Sequence, residues 1–160
     1  MENVLNKESV KRVEKDLKAF DLKLKVEVLN SSARTAIDAA NSLKCEVGAI
    51  VKSLLLKADN GFVLCLVSGD KKCSLSKIKK IIGKKDVCMA NAEDVKKQTG
   101  FTIGGVSPVG LVNNLDIMID DQLNRFQSIF AAAGHPNAIF KIDFSSLNKI
   151  TKGKIMDISE

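Results

Sequence analysis

The first residue able to do chemistry is a lysine inside the run Ala49-Ile50-Val51-Lys52-Ser53-Leu54-Leu55-Leu56. A stretch this continuously apolar reads as a strand buried on both faces. An ammonium held there without a partner is costly and tends to lose its proton. Lys52 must therefore reach an ion partner, an anionic ligand or the wet mouth of a pocket, unless it snorkels at a strand end. Ser53 points to the opposite face and reads as a small packing residue. The second group is Gly104-Gly105-Val106-Ser107-Pro108-Val109-Gly110. Glycine and proline at this density fix a backbone shape rather than fill a core. Such a loop is either a plain turn or a cradle that offers N–H groups to an oxyanion or phosphate. It is neither a P-loop nor a dinucleotide fingerprint, since G-K-[ST] and G-x-G-x-x-G are both absent.

The third group is the turn Gly134-His135-Pro136-Asn137, which holds the chain's single histidine. An imidazole invites acid–base work, but no Ser-His-Asp order assembles around it, and a turn histidine is commonly just exposed. Asp120 and Asp121 follow an apolar strand and could cap or orient. Adjacent carboxylates point in different directions, which suits general acid–base work poorly.

These groups need elements to hold them. Val10, Val13, Leu17 and Phe20 recur at helical spacing, and Leu22 to Val28 alternate as a half-buried strand. Thr35-Ala36 leads a small-residue helix through Leu43. Gly48 to Leu56 and Phe62 to Val67 flank Asp59-Asn60-Gly61, a hairpin whose Asn-Gly is expected to take the left-handed positions. Further helices are expected over 75–82, stopped at Gly83, and from an Asn91 cap to Gly100. Strands are expected at 87–89 and 117–119, a second hairpin over 128–142, a helix over 145–152 stopped at Gly153, and a closing strand over 155–158. The order is irregular rather than a βαβ alternation. An α+β fold follows: a single domain over residues 1–160 with a mixed, curved sheet.

Composition narrows the function classes. A chain of 160 residues, 45% apolar and 28% charged, suits one ordinary globular domain. No apolar run approaches the roughly 20 residues that cross a bilayer, and Met1 to Lys11 is too polar for a secretory signal. The cytoplasm is the expected location. Cys45, Cys65, Cys73 and Cys88 show no C-x-x-C spacing and read as reduced packing thiols. With one histidine, no metal site is expected. The net charge of +6 suits an anionic partner but equally an ordinary lysine-rich solvated face, and lysines crowd the stretch from Lys71 to Lys85. Without Trp or Tyr, phosphate contacts should outweigh base stacking.

Taken in order, several segments together resemble the YbaK family of aminoacyl-tRNA editing domains, which also occur as insertions in bacterial prolyl-tRNA synthetases. They are Arg34-Thr35-Ala36 with Ala39-Ala40, Val47 to Leu54, Ser68-Gly69-Asp70, Thr99-Gly100-Phe101, the 104–110 loop, Ile119-Asp120, and Ala133 to Phe140. The resemblance implies a compact α/β domain with a mixed, barrel-like sheet surrounded by helices. It also implies hydrolysis of the ester between a non-cognate amino acid and the terminal adenosine of a tRNA, with no cofactor. It implies that Lys52 matches the family's essential lysine, and that Gly104 and Pro108 match a G-x-x-x-P loop beside the ester. Gly105, Val106 and Ser107 join them as the expected catalytic set. Thr35, Ala36, Leu54, Asp120, Gly134, His135 and Asn137 are the expected substrate contacts. The turn varies between subgroups, some carrying lysine or arginine with glycine, which argues against a catalytic His135.

The expected partners are the acceptor end of a tRNA and a synthetase, with no membrane. An aminoacyl ester is activated and the neighbouring ribose hydroxyl can assist, so the protein needs no nucleophile of its own. Alanine, cysteine, serine and threonine are the candidate amino acids, and the turn and loop lean away from the cysteine-specific subgroup. One alternative is a non-catalytic tRNA- or synthetase-binding module of the same fold. Another is a cysteine-dependent hydrolase using His135, for which no Cys–His signature exists.

Overall fold

The computed structural model describes residues 3–160; Met1 and Glu2, part of the polar start, lie outside the described residues. α1 (Glu8–Phe20) buries Val10, Val13 and Leu17 as its spacing requires, while Phe20 at its end is largely exposed. α2 (Ala36–Leu43), α3 (Leu75–Ile82), α4 (Ala92–Thr99) and α5 (Phe144–Thr151) each start at a side-chain cap. Those caps are Thr35, Ser74, Asn91 and Asp143, each accepting a backbone N–H three residues ahead. Gly83 and Gly100 end α3 and α4 in the left-handed conformation, with φ of 67° and 84°.

Three local readings need correction. The first strand is only β1 (Val26–Val28), and Leu22 is 80% exposed. Asp21 causes this: its side chain accepts from Lys23 N and its carbonyl accepts from Leu24 N, closing a turn where the alternation suggested a strand. In the hairpin of β2 (Ile50–Ala58) and β3 (Gly61–Ser68), the left-handed residue is Asp59, and Gly61 already pairs with Ala58. After α5 the left-handed residue is Lys152. Gly153 is small for another reason, since a Cβ there would lie 2.8 Å from Ile119.

The remaining strands are β4 (Val87–Met89), β5 (Asp116–Asp120), β6 (Ile129–Ala132), β7 (Ala138–Ile142) and β8 (Lys154–Met156). The described residues form one mixed sheet in the order β1-β7-β6-β2-β3-β5-β8, with β4 attached to β2. β2–β6, β3–β5 and β5–β8 run parallel, and the other pairs are antiparallel. β2 and β3 are covered on both faces. Val51 and Leu55 of β2, with Leu64 and Leu66 of β3, face a core shared with α1 and α5. Leu54 and Leu56, with Val63, Cys65 and Val67, face a second core beneath α3.

The split of the sheet at β2 positions the site. One edge of β2 is fully paired with β3 from Val51 to Ala58. Along the other edge β6 holds only Ile50 and Val51, and β4 holds only Leu56 to Ala58. The edge from Lys52 to Leu55 therefore faces a break about 13 Å long at ~3.3 Å per residue. Ala90 N, donating to Leu55 O, closes one end of it.

Candidate active site

A cavity of about 380 Å³ opens at this break. Lys52, Ser53 and Leu54 form its floor; Arg34, Thr35 and Ala36 come from the start of α2, Met89 and Ala90 from the end of β4, and Gly104 and Val106 from the glycine loop. Strand alternation puts Lys52 on the face of Leu54 and Cys65, and Ser53 on the opposite face; the open edge gives both access to the cavity.

The Lys52 amine donates to the carbonyl of Lys71, just beyond the end of β3. An ammonium has three protons, so this bond leaves others for a ligand. Burial pushes the Lys52 pKa below its usual value, opposed by the nearby Cys73, Asp70 and Asp120. Arg125 engages Asp70 first, donating to both carboxylate oxygens at 3.1 and 2.7 Å and to Ser68 Oγ at 2.9 Å. That bidentate bond holds the Asp70 carboxyl below its ordinary range. Beside Lys52, the buried Cys65 thiol is pushed up, and its hydrogen bond to Cys73 draws the Cys73 thiol down.

Ser53 was expected only to pack. Its Oγ is buried at the cavity floor and has no hydrogen-bond partner among the described residues. Such a hydroxyl is costly unless something else satisfies it. The alternation of the run could place Ser53 opposite Lys52, but it could not show that β2 has an open edge there. Arg34 is the other addition. Its aliphatic stem packs over Gly104, where a Cβ would meet Arg34 Cγ at 2.8 Å, and its guanidinium has no acceptor among the described residues.

Two loop residues line the cavity, Gly104 (φ 96°) and Val106. Neither backbone N–H has an acceptor among the described residues, whereas Gly105 N donates to Thr102 O, Val109 N to Ser107 Oγ and Gly110 N to Asp16. Gly105 lies against the backbone of the histidine turn, where a Cβ would come 2.9 Å from His135 N. Ser107 is fully buried. Pro108 lines a separate depression beside Asp16 and Phe20. The structure thus brings together Lys52, Gly104, Val106, Thr35, Ala36 and Leu54, and places Gly105, Ser107 and Pro108 behind the wall.

The remaining expected contacts also lie off the wall. The carboxyl group of Asp120, fully buried, accepts from Ser68 N, Gln122 N and Ser159 Oγ. His135 Nδ1 accepts from Asn137 N, and Asn137 Nδ2 donates to Leu29 O. Gly134 O accepts from Ser9 of α1. No group of three or more His, Cys, Asp or Glu side chains able to hold a metal is found among the described residues. Among them, no helix is long and apolar enough to cross a membrane.

Residues 30–150 match the family described as the aminoacyl-tRNA editing domain. The chain is 32% identical over 130 residues to a proline–tRNA ligase of Caldicellulosiruptor bescii, covering 81% of this chain and 22% of the ligase. It thus spans about a fifth of that relative's length. It is 26% identical over 126 residues to EbsC of Enterococcus faecalis, provisionally named a Cys-tRNA(Pro)/Cys-tRNA(Cys) deacylase, covering 78% of this chain and 77% of EbsC. A crystal structure described as a candidate trans-editing enzyme for prolyl tRNA synthetase superposes with a TM-score of 0.90 at 37% identity, over 96% of this chain and 98% of the other. With the family matched across most of its length and the same fold in its relatives, this chain belongs to the aminoacyl-tRNA editing domain family.

Proposed function

We propose that this chain is a deacylase that hydrolyses the ester between a small amino acid and the terminal adenosine of a mischarged tRNA. One observation carries the reading. A half-buried amine, two loop residues whose N–H groups have no acceptor among the described residues, and a hydroxyl with no partner among them border one cavity at a break in the sheet. A structural core has no use for such a set, whereas a polar ester end does. The names of the relatives support the same substrate class.

In the proposed reaction, water attacks the ester carbonyl, assisted by the substrate's neighbouring ribose hydroxyl. The tetrahedral oxyanion is held by the N–H groups of Gly104 and Val106. The C–O bond to the ribose then breaks, and the ribose oxygen takes up a proton. The products are the free amino acid and an uncharged tRNA. Lys52 anchors the ribose–phosphate end, and Ser53 accepts from or donates to the aminoacyl group. At about 380 Å³ the cavity lies near the lower end of ligand sites, roughly 300–1,000 Å³, which favours small amino acids such as alanine, cysteine, serine or threonine.

Release of amino acid from a panel of Ala-, Cys-, Ser- and Thr-charged tRNAs tests this reading. At least one should be deacylated. Lys52→Ala should abolish turnover while leaving the circular-dichroism spectrum and melting temperature near wild type. Binding of every charged tRNA with no deacylation of any would instead assign the fold to a non-catalytic module.

A further inference from the structure

The chain's positive charge is concentrated in one place. Seven of its 25 basic residues, and none of its 19 acidic ones, lie from Lys71 to Lys85, so the remaining residues carry 18 basic groups against 19 acidic. That segment comprises the approach to α3, α3 itself and the turn into β4. Lys77 is neutralised by Asp157 at 2.9 Å. The side chains of Lys79, Lys80, Lys84 and Lys85 are exposed and form no ion pair or hydrogen bond among the described residues.

Helix physics accounts for part of this. Lys79 and Lys80 occupy the last turn of α3, where cations complement the helix dipole. Lys84 and Lys85 lie past the Gly83 stop and gain nothing from it. The ridge also has a direction. β4 begins two residues after Lys85, and its last residue, Met89, walls the cavity. Four extended residues, at ~3.3 Å each, separate the last lysine from the cavity by about 13 Å.

We propose that this ridge docks the sugar–phosphate backbone of the tRNA acceptor stem, while the single-stranded end runs along β4 into the cavity. The inference rests on the deacylase reading and adds where the body of the substrate lies. The ridge has the chemistry of a phosphate track: lysines are compact point charges that neutralise phosphates without reading bases. It carries no aromatic side chain on which to stack a base. Lysine is also depleted in protein–protein interfaces, where aromatic residues and arginine gather, so a duplex RNA fits better than an acidic protein.

The test compares wild type with the quadruple variant Lys79→Glu, Lys80→Glu, Lys84→Glu, Lys85→Glu on two substrates. One is a full mischarged tRNA; the other is the same amino acid esterified to a short CCA oligonucleotide. On the full tRNA, kcat/KM should fall by about tenfold or more, and its salt dependence should flatten, since each lost phosphate contact removes about 0.9 from the log–log slope. The short substrate should be cleaved as by wild type. A parallel Lys→Gln quadruple variant, showing the same pattern more weakly, covers the case in which charge reversal disturbs folding. Unchanged kcat/KM and salt slope on the full tRNA would overturn the proposal. So would unchanged tRNA kinetics with lost binding of polyglutamate, which would give the ridge to an acidic protein. If wild type cleaves neither substrate, the deacylase reading fails separately. Fluorescence anisotropy with uncharged tRNA then decides the ridge alone: affinity retained by the Glu variant overturns it, and a loss supports it.

Discussion

Lys52 owes its chemistry to two opposing facts, burial on a strand and an open edge beside it. Burial favours the neutral amine, so its folded pKa lies below the ordinary 10.5 of the unfolded chain. Between the two values the unfolded chain binds the extra proton. Wild-type stability should therefore rise with pH across that window and be flat below it. In Lys52→Met that slope disappears. Urea unfolding from pH 7 to pH 10 checks it: the stability difference should move in favour of wild type as pH rises, and a constant difference would mean the amine is not desolvated. Ser53→Ala removes a hydroxyl that no group among the described residues satisfies, so it should leave the melting temperature unchanged or slightly higher and change only kcat or KM. Lys52 was legible in the sequence because a charge amid aliphatic residues needs a reason. Ser53 was not, because a small hydroxyl is ordinary in any strand and only the missing neighbour strand makes it unusual.

The elements that matter most beyond the cavity wall are α1 and the two turns it clamps. Arg12 of α1 donates to the carbonyls of Gly110 and Gly100 at 3.1 and 3.0 Å and stacks over Phe101; Asp16 accepts from Gly110 N. Ser9 holds Gly134 one turn earlier at 2.8 Å. The glycine loop is thus fixed from behind by a helix that does not line the cavity. Gly105 is the joint between loop and turn. Gly105→Ala should destabilise by about 1–3 kcal/mol, because the new methyl meets backbone that has no rotamer to yield. It should also lower kcat by shifting Gly104 and Val106, which calorimetry and deacylation kinetics measured together would show. The helix starts at Thr35 and Asn91 and the stops at Gly83 and Gly100 were legible, since caps and left-handed stops depend on a few adjacent residues. The α1 clamp was not, because Arg12 and Asp16 lie on an ordinary charged helix face and nothing local marks their distant partners.

At the scale of the whole molecule, the sheet joins segments far apart in the chain, and this is where reading along the sequence fails. The α+β class follows from the irregular order of elements. The parallel pairings of β2 with β6 and β5 with β8, and the resulting break, depend on contacts that no local pattern encodes. Asp120 shows how the distant pieces are locked. One of its oxygens accepts from Ser68 N at the end of β3; the other accepts from Gln122 N and from Ser159 Oγ near the C-terminus. The C-terminal residues in turn pair with Lys72 and Ser74, beside the Lys71 carbonyl that holds Lys52. Asp120→Asn keeps the shape but must turn an NH₂ toward one set of donors. Leaving a buried donor unsatisfied costs about 1–3 kcal/mol, so the melting temperature should fall by several degrees, at roughly 2–4 °C per kcal/mol for a chain of this size. Well below melting, kcat/KM should stay near wild type, because Asp120 lies outside the cavity wall. Thermal unfolding and deacylation at low temperature separate the two effects. A large loss of kcat/KM with an unshifted melting temperature would make Asp120 a substrate contact rather than the pin between β3, the turn after β5 and the C-terminal segment.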